Sequence, residues 1–216
     1  MWDWKFAFDS LPKLWQGFVT TVQLSLLATL GAVILGLVWA ILRYIKVPFL
    51  SGAVSIFVQF LRGTPLLVQL YFLFYVVPQY GISSNAFVTG VVGMSLYFSS
   101  YCAEVFRAGI NNIPKGQWDV ARGLSLPLRR VWLDVILPQV GRSVIPPIGN
   151  YAIVIFKQSA LLSTITVEEL LHAAQAISSE NYRYVEPITL AGLLYFAISY
   201  PAALGLRRLE KRLATR

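Results

Sequence analysis

The chain has 216 residues, 56% of them hydrophobic and only 13% charged, with a mean hydropathy of +0.63. Soluble domains carry about 25% charged residues, so this composition excludes an ordinary soluble globule and points to a bilayer, with room for five or six spans plus connections and little for a separate soluble domain. The formal charge of +8 would suggest nucleic acid in a soluble protein; here it fits the enrichment of Lys and Arg on the cytoplasmic side of membrane proteins, and no nucleic-acid partner is expected.

Taken in chain order, the first element opens on "MWDWKFAFDSLPKLWQ", which lacks the basic start of a signal peptide. The apolar run after it is too long for a signal h-region, so residues 17–42 are expected to be a retained span. Crossing a hydrocarbon core of roughly 30 Å takes about 20 apolar residues. On that measure the next spans are 53–77, interrupted near its start by "RGTP", 86–110, 143–162 and 187–206, five in all. No repeat, Gly/Ser linker or low-complexity tract divides the chain, so one domain over 1–216 with a core over 17–212 is expected. Orientation follows from the connections. Arg43, Lys46, Arg107, Lys115, Arg122, Arg129, Arg130, Arg207, Arg208, Lys211, Arg212 and Arg216 fall on one side, and Lys5, Lys13 and Arg183 on the other. Positive charge stays inside, so the N-terminus is expected outside and the C-terminus inside.

Chemistry is sparse. One cysteine, Cys102, forms no intrachain disulfide, and with the one histidine, His172, it cannot build an ordinary zinc site. No Gly-rich phosphate loop and no Ser/His/Asp constellation is present, so the chain is not expected to be an enzyme or to hold a cofactor itself. Polar groups within spans are costly and face a partner or a cavity. Glu104 and Arg107 stand at i,i+3 and either pair with each other or act in coupling or gating. Lys157 either snorkels to the interface or lines a pathway. Asn150 follows Pro146 and Pro147, which free backbone carbonyls near mid-depth. Gln69, Tyr97 and Ser100 are the remaining pathway candidates, or glue between helices. Residues 166–177 are expected to form a helix capped by Thr166 and Glu169, its Val167, Leu170, Leu171 and Ala174 on one face, lying flat at the outer surface with His172 solvated.

Residues 116–140, "GQWDVARGLSLPLRRVWLDVILPQV", stand out as a basic, polar stretch between apolar runs. A short helix is expected from Pro114, which can occupy a first turn, to Pro127, with Asp119 near its positive end. Val120 and Leu124, four apart, make an apolar ridge flanked by Trp118 and Arg122, the form of a docking element.

This stretch resembles the cytoplasmic EAA loop of permease subunits of type I ABC importers: Asp119-Val120-Ala121 for E-A-A, Ser125 for the glycine, and Val135-Ile136-Leu137-Pro138 for I-x-L-P. "FLRGTPLLVQLYF" at 60–72, "SSYCAEVFRAGINNIPKGQ" at 99–117 and "FKQSALLS" at 156–163 are similar to the polar amino acid uptake branch of that family. The resemblance implies an all-α, multi-pass protein of the bacterial cytoplasmic (inner) membrane. It would pair with a second permease chain, identical or homologous, and with two ATPase subunits that bind ATP and Mg, and receive an extracytoplasmic substrate-binding protein. It implies a coupling loop over 111–130, and coupling to the ATPase through Trp118, Asp119, Val120, Ala121, Arg122, Leu124, Ser125 and, beyond the loop, Pro138. For Arg62, Pro65 and Arg107 it implies structural or gating roles. Ser in place of Gly at 125 bears on the turn that ends the helix, because Gly tolerates positive φ cheaply and Ser does not. Ectoine- or opine-like solutes would suit the same machinery. An ion-coupled carrier, the rival class, calls for carboxylates deep in the membrane, and only Glu104 approaches that.

Overall fold

The structure is a computed structural model that describes residues 2–45 and 47–214; Lys46 and Arg216, two of the cations counted above, lie outside the described residues. The described chain is helical throughout: α1 (Trp4–Tyr44), α2 (Pro48–Gly63), α3 (Leu66–Tyr71), α4 (Ala86–Asn111), α5 (Lys115–Gly123), α6 (Leu128–Arg130), α7 (Leu137–Gln158), α8 (Leu170–Asn181) and α9 (Val185–Ala214). Wider π turns continue α3 over Phe72–Val76 and join α6 to α7 over Val131–Ile136.

Helix α1 is capped by Asp3, whose carboxylate accepts from the Lys5 and Phe6 amides at 3.0 and 3.2 Å. Its 41 residues make about 60 Å of helix, twice the hydrocarbon thickness. The expected span 17–42 is therefore its second part, and the first turns, including Pro12, extend beyond the core. Ala28, Ala32, Gly36 and Ala40 recur every fourth residue and are buried, a stripe of small residues that lets two backbones approach. The neighbour is α4. A Cβ on Gly36 would sit 2.5 Å from the Cys102 Cβ and 2.9 Å from the Ser99 carbonyl oxygen, and Trp39 Nε1 donates to Ser99 Oγ at 3.0 Å. Gly36→Val is expected to destabilise the protein by about 1–3 kcal/mol, because the clash outweighs the gain in helix propensity. Gly52→Ala, on α2 with nothing within 4 Å of its would-be Cβ, is expected to be neutral or stabilising. Thermal unfolding in detergent compares the two.

The second expected span, 53–77, is not straight. The arms Phe49–Gly63 and Leu66–Tyr80 meet at 105°. Pro65 lacks an N–H and disfavours a helical residue before it, and Thr64 is accordingly extended at φ −112°, ψ 142°. Gln69 holds the bend: its Nε2 donates to the Leu61 carbonyl at 2.8 Å and to Thr64 Oγ1 at 2.7 Å. Among the described residues three helices are long and apolar enough to cross a membrane, Trp4–Tyr44, Ala86–Asn111 and Val185–Leu213, and four if the bent pair counts as one span. The remaining expected span corresponds to α7, whose Arg142, Asn150 and paired prolines dilute its apolar character.

Helix α8 differs from expectation at its start. Thr166 is not its cap: at φ 63° it ends the preceding 3-10 turn. Glu169 is the cap, accepting from the His172 amide at 2.7 Å, and the helix begins at Leu170. Nor does α8 lie free on a surface. Leu170, Ala173, Ala174 and Ile177 are buried with Leu14 and Phe18 of α1 and Ala191 of α9, and a Cβ on Gly17 would sit only 2.9 Å from the Ala173 Cβ.

Candidate functional site

The basic stretch forms α5, seated on the body by one face only. Ala121 is 2% exposed and packs with Val131, Ile136 and Val140. Trp118, three residues before it, turns inward too: its ring meets Trp132 edge-on at 5.5 Å, and Trp132 meets Tyr44 of α1 at 5.4 Å. Trp118 thus anchors the helix instead of flanking its ridge. Val120 and Leu124, turned to solvent, are 63% and 67% exposed. Asp119 and Arg122 lie beside them, 3.6 Å apart and mostly in solvent, a geometry worth little in stability.

The helix stops before Pro127, which instead begins α6. The stop is a six-residue C-terminal turn: the Ser125 amide donates to Arg122 O at 2.9 Å and the Leu126 amide to Ala121 O at 3.2 Å, the two bonds of a Schellman motif. The residue between must be left-handed, and Ser125 takes φ 52°. Ser pays for a conformation that Gly adopts freely. Ser125→Gly is therefore expected to raise stability by about 1 kcal/mol, read as a higher Tm with α5 unchanged. Pro138, exposed in the first turn of α7, lies beyond this turn.

Eleven residues before α5, at Glu104, a second cluster assembles. Glu104 on α4 accepts from Arg107 at 2.7 Å, the expected i,i+3 pair, and from Arg43 of α1 at 2.7 Å. Arg62 stands 3.7 Å from the same carboxylate, with its guanidinium 5.4 Å over the Tyr101 ring. One carboxylate, 22% exposed, thus holds three arginines from three helices. Arg62 ends α2 at the bend marked by the exposed Pro65, so the cluster ties the end of α1, the bend and the last turns of α4 together. Sequence spacing revealed only Arg107. Arg43 and Arg62 are 61 and 42 positions away, and no local pattern connects them.

The other pathway candidates do not converge. Gln69 is committed to the bend. Ser100 is fully buried and bonds back to the Tyr97 carbonyl at 2.6 Å, and the Tyr97 hydroxyl meets that of Tyr101 at 3.1 Å. These are helix-packing contacts. Asn150 lies with Pro146, Pro147, Arg207 and Glu210 along a groove between α7 and α9. Lys157 is exposed near the far end of α7 and makes no ion pair among the described residues.

At the end opposite the basic cluster, Arg183 bridges Asp3 at 3.0 Å and Glu186 at 2.7 Å, and Lys13 pairs with Glu180 at 2.8 Å. The Phe6 amide and Arg183 hold the Asp3 carboxyl below its usual range. Glu169, which the sequence marked only as half of a capping box, is fully buried and also accepts from the Tyr195 hydroxyl at 2.6 Å. Burial pushes its carboxyl above the usual range, and the Tyr195 bond partly opposes this.

Comparison with known proteins matches residues 32–215 to the family model of binding-protein-dependent transport system inner membrane components. The chain is 37% identical, over 98% of its length and 91% of the relative's, to a probable amino-acid ABC transporter permease of Sinorhizobium fredii (strain NBRC 101917 / NGR234). It is 33% identical, over 96% of both chains, to a probable glutamine ABC transporter permease of Bacillus subtilis (strain 168). Among solved structures, an amino acid ABC transporter crystallised with histidines superposes with a TM-score of 0.92 at 32% identity, covering 98% of this chain and 99% of that one.

Proposed function

The chain belongs to the family of binding-protein-dependent transport system inner membrane components, and from that premise we propose that it is the permease subunit of an ATP-driven importer for polar amino acids. The relatives named for amino acids and for glutamine support that substrate class. Catalysis belongs to a separate ATPase; this chain forms the membrane part. The α5 ridge of Val120 and Leu124, projecting from a helix clamped through Ala121 and Trp118, is the observation that carries the coupling assignment. An exposed apolar ridge on a rigid seat suits a cleft in a partner and transmits its movement. Two ATPase subunits, a second permease chain, identical or homologous, and an extracytoplasmic binding protein complete the assembly. The basic end faces the cytoplasm, and residues 1–216 act as one domain with its coupling segment at 111–130.

In this reading the Glu104 cluster passes the displacement of α5 to α1 and to the bend between α2 and α3. Arg62, Pro65 and Arg107 are its structural members, and Glu104 is a coupling group instead of a solute ligand. Solute-lining roles for Tyr97, Ser100, Asn150 and Lys157 draw no support from their packing. Reconstitution tests the function. The chain, its co-purifying ATPase and binding protein in liposomes should accumulate a labelled polar amino acid only with ATP inside. Uptake by the chain alone, driven by an ion gradient, would establish the carrier instead. ATP-dependent uptake of ectoine- or opine-like solutes but not of amino acids would keep the machinery and change the cargo.

A further inference from the structure

Two grooves run end to end along the seam between α7 and α9. The first, about 210 Å³, lies between Leu26 and Thr29 of α1, Ala152 and Phe156 of α7, and Ile198 and Ala202 of α9, and its lining is almost wholly apolar. The second, about 460 Å³, continues it at the basic end past Asn150 to Arg207 and Glu210. Ile153 lines both. We infer that this seam is a binding site for one membrane phospholipid whose head group joins a phosphate to a primary amine, with Arg207 taking the phosphate and Glu210 the ammonium.

Depth carries the first part of the assignment. Ile198 lies at the middle of the span Val185–Leu213, and nine residues separate it from Arg207, about 14 Å of helix. One leaflet accounts for about half of a 30 Å hydrocarbon core, or ~15 Å. Along α9 the seam therefore runs from near the middle of the span to the interface of a single leaflet. Phe156, packed on Tyr195 at 5.4 Å, lines its deeper end. Among the described residues little covers α9, since only 6% of its most apolar stretch is buried.

Charge carries the second part. Arg207 and Glu210 line the same groove one turn apart, yet no ion pair joins them among the described residues. A phosphate accepts the guanidinium's paired donors, and an ammonium beside it meets the carboxylate. Arg142, one turn before Pro146 on α7, adds positive charge at this end. A head group bearing only negative charge would meet the Glu210 carboxylate, and a methylated amine would offer it no N–H donor. The site does not depend on which solute the chain transports.

The test uses the intact transporter in vesicles of phosphatidylethanolamine and phosphatidylglycerol, with a trace of phosphatidylethanolamine carrying a photoreactive group near the end of one acyl chain. Labelling is expected to concentrate on residues 198–202 and 152–156. It should fall about tenfold in Arg207→Ala, equivalent to ~1.4 kcal/mol, and vanish in Ala202→Trp, which fills the apolar groove. Competition by excess unlabelled phosphatidylethanolamine should exceed that by phosphatidylcholine or phosphatidylglycerol. Labelling spread equally over the exposed Leu30, Ile34 and Leu37 of α1 and indifferent to both variants would overturn the site. So would protomer-to-protomer cross-linking at Ile198 without lipid labelling, which would make the seam a protein interface. ATP-driven uptake measured on the same vesicles separates loss of the lipid site from failure of the importer assignment.

Discussion

Glu104→Gln is expected to abolish coupled transport while leaving the chain folded and bound to its ATPase. The wild-type carboxylate stands among Arg43, Arg62 and Arg107. Neutralising it leaves three guanidinium groups with no anion between them. Removing one partner from a buried ion pair costs about 3–5 kcal/mol. This cluster is partly solvated, with Arg62 41% and Arg107 50% exposed, so solvent screening reduces the expected loss to about 1–2 kcal/mol. That is enough to loosen three helices at one end without unfolding the α1–α4 core beyond them. ATP hydrolysis should continue while uptake falls at least tenfold. Glu104→Asp, which keeps the charge on a shorter arm, should recover part of the uptake. Arg43→Ala should be more harmful than Arg107→Ala, because Arg43 is the more buried partner at 16% exposed. If Glu104→Gln lowers stability and hydrolysis together yet keeps the ratio of uptake to hydrolysis, the cluster is structural only and the coupling role is wrong.

Replacing Val120 and Leu124 together with Asp should release the ATPase. Burying such a side chain in a partner contributes about 1.5–3 kcal/mol, so losing both should weaken association by a factor of about 10² to 10⁴. Folding should hardly change, because both side chains already face solvent in the free chain, and substitutions at such positions usually stay within ±0.5 kcal/mol. Asp119→Lys on the same exposed side should uncouple with a smaller loss of binding. Trp118→Ala should act differently. It removes the contact to Trp132, so α5 loses its seat and hydrolysis continues without transport. Co-purification of ATPase at wild-type stoichiometry with the Val120/Leu124 double variant would move the docking surface elsewhere.

Much of this was legible in the sequence, and the successes share a cause. Membrane residence, the spans of α1, α4 and α9, the basic segment between spans and its Val120–Leu124 ridge all depend on composition or on neighbours within about one helical turn. Where two local signals competed, the sequence misled. Pro127 was expected to end α5, but the left-handed turn at Ser125 ends it earlier and Pro127 starts the next helix. Thr166 and Glu169 have capping-box spacing, yet Thr166 closes the preceding turn and Glu169 caps α8 alone. The stretch 53–77 has span-like hydropathy, and hydropathy does not register that Pro65 and Gln69 fold it back at 105°.

By itself, then, the sequence determined that this chain lives in a membrane, which residues carry its few charges, and which short helix stands out from the rest. Those properties follow from the cost of polar groups in hydrocarbon and from the 3.6-residue period, both of which act locally. Only the tertiary structure decided that Arg43 and Arg62 share Glu104 with Arg107, that Trp118 points inward while Val120 points out, that Gln69 braces a bend, and that α7 and α9 leave a groove between them. Each depends on helices distant in sequence meeting at a particular angle. Such meetings are set by where small residues such as Gly17 and Gly36 let backbones approach, and helical periodicity along one segment carries no information about which partner it will find.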